Sequence, residues 1–248
     1  YNQAKDYIFA PSSEEEMIED ITSLIVDYEA FRSAYYDTLE SLVNSENEYL
    51  EYSEKIRIEF IRQKHHIRAE KNVNRLTKLF KDSIGEREAG RFTDILAKIC
   101  RAHGESLLYV KELPTEFIDF NKETCNAQFI AIMLRIGDIV HFDYNRAPIS
   151  LFAEKQIKDS VSIMHWMSKN QELEYNINSN GKNIDIGYSA YCKTPETYYF
   201  IQNYMDWIDD ELSNYYHLKN CWQSEKLERY EHYDLPLAMN VDRSELGF

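Results

Sequence analysis

Chain breakers are scarce: only 7 Gly and 5 Pro fall among 248 residues. A strand-rich sandwich needs more turn residues than this, so long helices are expected. Hydrophobic residues make up 44%, enough for a sizeable core in one large domain or two small ones. No apolar run approaches the roughly 20 residues of a membrane span, and no signal-peptide pattern opens the chain. The cysteines Cys100, Cys125, Cys192 and Cys221 stand far apart with no C-x-x-C pair. That spacing argues against a structural zinc site or a disulfide framework and suits a reducing, cytoplasmic compartment. The 19 Tyr are spread along the chain, as core and interface material rather than a stacking platform.

The net charge is -15, which argues against general nucleic-acid or anionic-membrane binding. The charge is unevenly laid out. Residues 12–54 hold 13 acidic side chains and one basic one, Arg32, whereas residues 55–81 hold nine basic ones against Glu59 and Glu70. Two neighbouring helices with complementary faces would explain this. So would a basic stretch that attracts a phosphorylated ligand.

Pro11-Ser12-Ser13-Glu14-Glu15-Glu16 is a helix start, with Ser13 and Glu16 as a capping box. Apolar residues then recur at Met17, Ile21, Leu24, Tyr28, Phe31, Tyr35 and Leu42, at spacings that place them on one helical face. A second long helix is expected from about Ser53 to Phe80, broken by Asp82-Ser83-Ile84-Gly85. A third is expected from about Arg91 to His103. From about Cys125 to Phe142 nearly every position is apolar, so that helix is expected to be buried all round. Its polar exceptions are Arg135, Asp138 and His141. A carboxylate kept in such surroundings needs a cation or a metal beside it. Residues 172–179 and 183–191 alternate around Asn180-Gly181-Lys182, the pattern of a β-hairpin. Thr194-Pro195-Glu196 starts a further helix, with Ile201, Tyr204, Met205, Ile208, Leu212 and Tyr215 as its stripe. The fold expected is mainly α, an irregular bundle of six to eight helices with one small late β-hairpin.

Three fragments stand out for chemistry: Arg62-x-x-His65-His66, Arg101-Ala102-His103-Gly104 and Leu134-Arg135-Ile136-Gly137-Asp138-Ile139. Imidazole nitrogens and carboxylate oxygens suit a divalent metal: Mn, Fe, Ni, Zn or Mg. Such an ion lowers the pKa of a bound water and clamps a phosphoryl oxygen. Plainer roles fit the same residues. Asp138 can pair with Arg135 or Arg146 as an ion pair, His103 can complement a helix dipole before Gly104, and His65 and His66 can belong to a solvated basic face. No phosphate-binding loop, dinucleotide fingerprint, nucleophile elbow or H-E-x-x-H motif competes.

The order of these fragments, closed by His141-Phe142-Asp143-Tyr144-Asn145-Arg146-Ala147-Pro148, resembles HD-superfamily (His/Asp metal phosphohydrolase-like) domains. It is similar to those found N-terminal to gyrase- or chaperone-type ATPase modules. The resemblance implies that His65, His103 and Asp138 are metal ligands and that His141 stands where relatives often carry a second Asp. Arg146 belongs to the closing triplet, and His66, Arg135, His141 and Arg146 are secondary candidates. Arg62, Lys64 and Arg68 would neutralise phosphate charge. It also implies an HD-like core over residues 1–167, a hairpin plus helix packed on it over 168–222, and an irregular segment over 223–248 leading to a following domain. No His precedes His65 and no His-Asp dipeptide occurs, so the ligand set is incomplete. The start at Tyr1 rather than Met suits a piece of a longer chain whose missing ligands lie upstream; a degenerate site is the alternative. Two functions follow. One is a metal-dependent phosphohydrolase or sensor domain for a phosphorylated small molecule such as a nucleotide. The other is a catalytically inactive interaction domain that regulates an attached or separate ATPase.

Overall fold

The computed structural model describes residues 14–35, 46–119, 121–140, 174–180, 183–224 and 238–247. The chain divides into two compact units, residues 1–131 and 132–248. The expected boundary at 167, the Pro11–Ser13 helix start and the turn at Gly181-Lys182 lie outside the described residues. The expected mainly α fold with a small late hairpin is what forms.

The first unit contains α1 (Glu14–Ser33), α2 (Glu46–Arg75), α3 (Thr77–Ile84), α4 (Glu86–Ala102) and α5 (Leu107–Glu112). The acidic α1 lies against α2, whose cations gather in its second half. Tyr28 and Phe31, two of the expected stripe residues, set their rings 5.4 and 5.5 Å from that of Phe60. Such ring pairs contribute about 0.5–1.5 kcal/mol beyond area burial. Asp20 and Arg75 form an ion pair across the two helices. The helix expected from about Ser53 to Phe80 is in fact two. Leu76 N–H bonds the Val73 carbonyl and Leu79 N–H bonds the Leu76 carbonyl, both 2.9 Å and three residues back. The Thr77 hydroxyl takes the Asn74 carbonyl at 2.7 Å and meets the Thr93 hydroxyl at 2.6 Å. A side chain that bonds the backbone competes with the regular ladder, and here it marks the break.

Gly85, with φ 82°, turns the chain between α3 and α4, a conformation that costs a residue with a Cβ. Helix α4 carries Glu86 and Glu88 in its first turn and Arg101 in its last, which suits its dipole. Its buried Ala89, Ile95, Ala97, Ile99 and Ala102 pack on α2 and α3. After α5, a two-residue antiparallel pair forms between β1 (Phe117–Ile118) and β2 (Thr124–Cys125). The Asp119 carboxylate closes its loop by accepting the N–H groups of Asn121 and Glu123, each at 2.8 Å. Helix α6 (Ala127–Val140) begins in the first unit and ends in the second.

In the second unit, β3 (Glu174–Asn180) and β4 (Asn183–Tyr191) form the expected hairpin. Helix α7 (Pro195–Ser224) follows, capped by the Thr194 hydroxyl on the Thr197 N–H at 3.3 Å. Its buried stripe runs Ile201, Met205, Ile208, Leu212, Tyr215, Leu218 and Trp222. Residues 238–247, expected to be irregular, form β5, which lies parallel to β4 in a sheet ordered β3-β4-β5. A parallel partner needs a crossover, and α7 supplies it. The helix α6 was expected to be buried all round, but it is not. Ala131, Ile132, Ile136, Ile139 and Val140 are buried, whereas Ile130 and Leu134 are each 41% exposed. Among the described residues its buried positions are not matched by cover over Ile130 and Leu134, which face outward. Among the described residues, no helix is long and apolar enough to cross a membrane.

Candidate functional site

His65 lies on α2 and His103 is the C-cap residue of α4. Because these two helices pack together, the imidazoles meet with their Nε2 atoms 2.7 Å apart and their ring centroids 4.6 Å apart. Each ring is anchored from behind: Nδ1 of His65 bonds the Arg62 carbonyl, and Nδ1 of His103 bonds the Cys100 carbonyl. A carbonyl oxygen only accepts, so each Nδ1 carries a hydrogen and the two Nε2 atoms are left to face each other. Two lone pairs at 2.7 Å repel unless a proton or a cation sits between them. The helix C-terminal role expected for His103 is therefore real, and it also fixes the ring.

His66, a secondary candidate, is buried at 8% exposure behind this pair. Its ring is 5.7 Å from that of His65 and 6.3 Å from that of His103. Burial pushes its pKa down, against the opposing pull of Glu105, whose Oε1 is 3.5 Å from its Nε2. Arg101 holds Glu105 through Nε at 2.8 Å and Glu70 through Nη1 at 2.9 Å. Gly104 makes the packing fit, since a Cβ there would lie 2.4 Å from the His66 ring. Glu105 was not singled out in the sequence, and Gly104 entered only as the end of a fragment, with no packing role. The Arg101–Glu105 spacing of four and the glycine closing Arg101-Ala102-His103-Gly104 are the signals that point to them.

The other expected residues are placed as follows. Asp138 sits on α6 in the second unit and is exposed rather than enclosed in apolar side chains. Arg135, also in that unit, grips Glu211 of α7 with two bonds, Nε to Oε2 at 2.8 Å and Nη2 to Oε1. Glu211 is only 5% exposed and gave no hint of this in the run Asp209-Asp210-Glu211. His141 and Arg146 lie outside the described residues. Lys64 and Arg68 line a cavity between α1 and α2 whose walls include neither Arg62 nor His65.

Metal-binding histidines characteristically have the other ring nitrogen tied to a carbonyl or carboxylate, and both rings meet that condition. A tetrahedral ion about 2.0–2.1 Å from each nitrogen would hold them roughly 3.3 Å apart, so a small opening of the pair would be needed. The donor set thus fits two positions of a divalent ion. Among the described residues, no group of three or more His, Cys, Asp and Glu is arranged to hold one.

Neither a curated protein nor a solved structure matched the chain. The family model described as HD-CE matches residues 6–214. That stretch takes in α1 through most of α7, with both imidazoles and Asp138, and the chain belongs to the HD-CE family.

Proposed function

We propose that this chain is an HD-type domain that binds a divalent cation through His65 and His103 and acts on, or senses, a phosphorylated small molecule such as a nucleotide. The observation that carries this reading is the pair of facing Nε2 atoms, each ring held in place by a backbone carbonyl behind it. When bound, the ion would supply a water of lowered pKa and charge for a phosphoryl oxygen. The chain's own residues do the rest. The Arg62 and Cys100 carbonyls fix tautomer and ring direction. His66 and Gly104 wedge α2 against α4, and the Arg101–Glu105–Glu70 chain ties the same corner together. Arg62, three residues before His65 on α2, supplies positive charge toward the phosphate. An ATPase as neighbour or partner belongs to the same proposal.

The test is titration of chelator-stripped protein with Mn, Ni and Zn ions by calorimetry, followed by assay of a phosphomonoester panel. One ion is expected per chain. His65→Ala and His103→Ala should each weaken binding by more than about tenfold. If no ion binds, and the histidine variants behave as the parent does, the domain is an inactive interaction module and the metal reading fails.

A further inference from the structure

Helix α7 carries aromatic rings on the side that its core does not use. Tyr199 is 65% exposed and Trp207 is 49% exposed. Glu196, Asn203 and Asp210 are exposed as well. These five residues follow one another at spacings of three, four, four and three, so they form one line along the helix. At about 100° per residue that line runs on the side away from the buried Ile201, Met205, Ile208 and Leu212.

Neither ring is loose. Tyr198 meets Tyr199 and Tyr204 meets Trp207 edge to face, each pair with centroids 5.7 Å apart. The Tyr204 hydroxyl is itself tied to the Ile139 carbonyl at 2.6 Å. Rings braced in this way lose little freedom on binding. They sit eight residues apart, about 12 Å along the axis, with Glu196 beyond one and Asp210 beyond the other. From Pro195 to Tyr216 the chain has five carboxylates and no Lys or Arg. Lys193 stands before the helix, and Lys219 belongs to its buried side.

We propose that this line is a docking surface for an arginine-bearing peptide segment of a partner protein. A guanidinium stacks on an indole or phenol face and bonds a carboxylate through its planar fork, so one kind of side chain meets both components of the line. A lysine ammonium satisfies the carboxylates, but it is more strongly hydrated and has no plane to stack. An apolar partner would leave Glu196 and Asp210 unmatched, and an acidic one would be repelled. Trp, Tyr and Arg are also the residues that dominate binding energy at interfaces. The inference is independent of the imidazole pair, which lies in the first unit.

Fluorescence anisotropy of the full chain with labelled octa-arginine, octa-lysine and octa-glutamate tests it, at about 0.15 M salt. The net charge of -15 attracts any polycation, so the comparison of arginine with lysine isolates the rings. Octa-arginine should bind about fivefold or more tightly than octa-lysine, and octa-glutamate should not bind. Trp207→Ala leaves the net charge unchanged and should weaken octa-arginine binding by about tenfold, with Tyr199→Ala acting in the same direction. Asp210→Asn should weaken it by about threefold. Glu19→Gln, the same loss of charge at an exposed position of α1, should leave it unchanged. All four substitutions are at exposed positions, and their melting temperatures should match the parent's. The proposal is overturned if neither basic peptide binds, if octa-lysine binds as tightly as octa-arginine, or if Trp207→Ala changes nothing. It is equally overturned if Glu19→Gln weakens binding as much as Asp210→Asn does, since the attraction would then be one of net charge alone.

Discussion

At Gly104 the backbone passes so close to the His66 ring that an added Cβ would lie 2.4 Å from both Cγ and Nδ1. The backbone there is unstrained in φ, so the requirement is for space alone. Gly104→Ala should therefore push His66 out of its berth and destabilise the first unit by about 1–3 kcal/mol, the usual cost of overpacking. Because His66 adjoins His65, the same variant should weaken ion binding in the calorimetric titration. A variant that melts with the parent and binds ions equally would mean that the ring is not held there. The order of motifs was enough to bring His65 and His103 into one reading, since both sit on helical segments of the same resemblance. What it lacked was the backbone: no spacing in a sequence shows that a ring nitrogen finds a carbonyl three residues earlier. For Asp138 the sequence suggested the opposite of what forms. Apolar neighbours along the chain imply burial only if both sides of the helix are covered, and α6 is covered on one.

Helix α7 shows the same limit in reverse, because Glu211 looks solvated in its acidic run yet is buried against Arg135. Its place was readable after all: it lies three residues beyond Ile208 and four before Tyr215, within the apolar stripe. A buried pair of this kind adds little over apolar side chains of the same volume, but losing one partner is costly. Glu211→Gln should lower stability by up to about 3–5 kcal/mol by removing the charge that the Arg135 guanidinium grips on α7. The double change Arg135→Met, Glu211→Leu should recover most of that loss. Denaturant melts of the three proteins measure both effects, and a Glu211→Gln protein as stable as the parent would show the pair to be idle. The hairpin was legible from alternation and a turn signal, both local. Strand β5 was not, because its partner β4 lies across the whole of α7 and a parallel register leaves no turn to read. The break at Leu76 depends on Thr93 of another helix, and so is equally invisible in its own segment.

For the molecule as a whole, the average and the local charge point in different directions, and size decides which a ligand feels. The net charge of -15 repels a long polyanion over its full length. The nine basic residues of 55–81 occupy one stretch, and several face α1 acids or its cleft. A double-stranded nucleic acid gains affinity by matching many phosphates at once, and that gain falls steeply with salt. Among the described residues, Lys64, Arg68, Lys71 and Arg75 form a short row in a cavity flanked by the acidic α1. Charges beyond roughly 8 Å, the screening length at physiological salt, are largely screened, so a small anion would respond to the local balance of these cations with Asp20 and Asp27 rather than to the net charge. Fluorescence anisotropy with a labelled 20-base-pair duplex at about 0.15 M salt should therefore show no binding in the micromolar range, where non-specific binders often begin. Lowering the salt should bring at most a weak signal, one that Lys64→Glu and Lys71→Glu abolish. A micromolar Kd for the duplex at about 0.15 M salt would show that the basic stretch projects beyond its acidic neighbour, and would place α2 on a nucleic-acid surface.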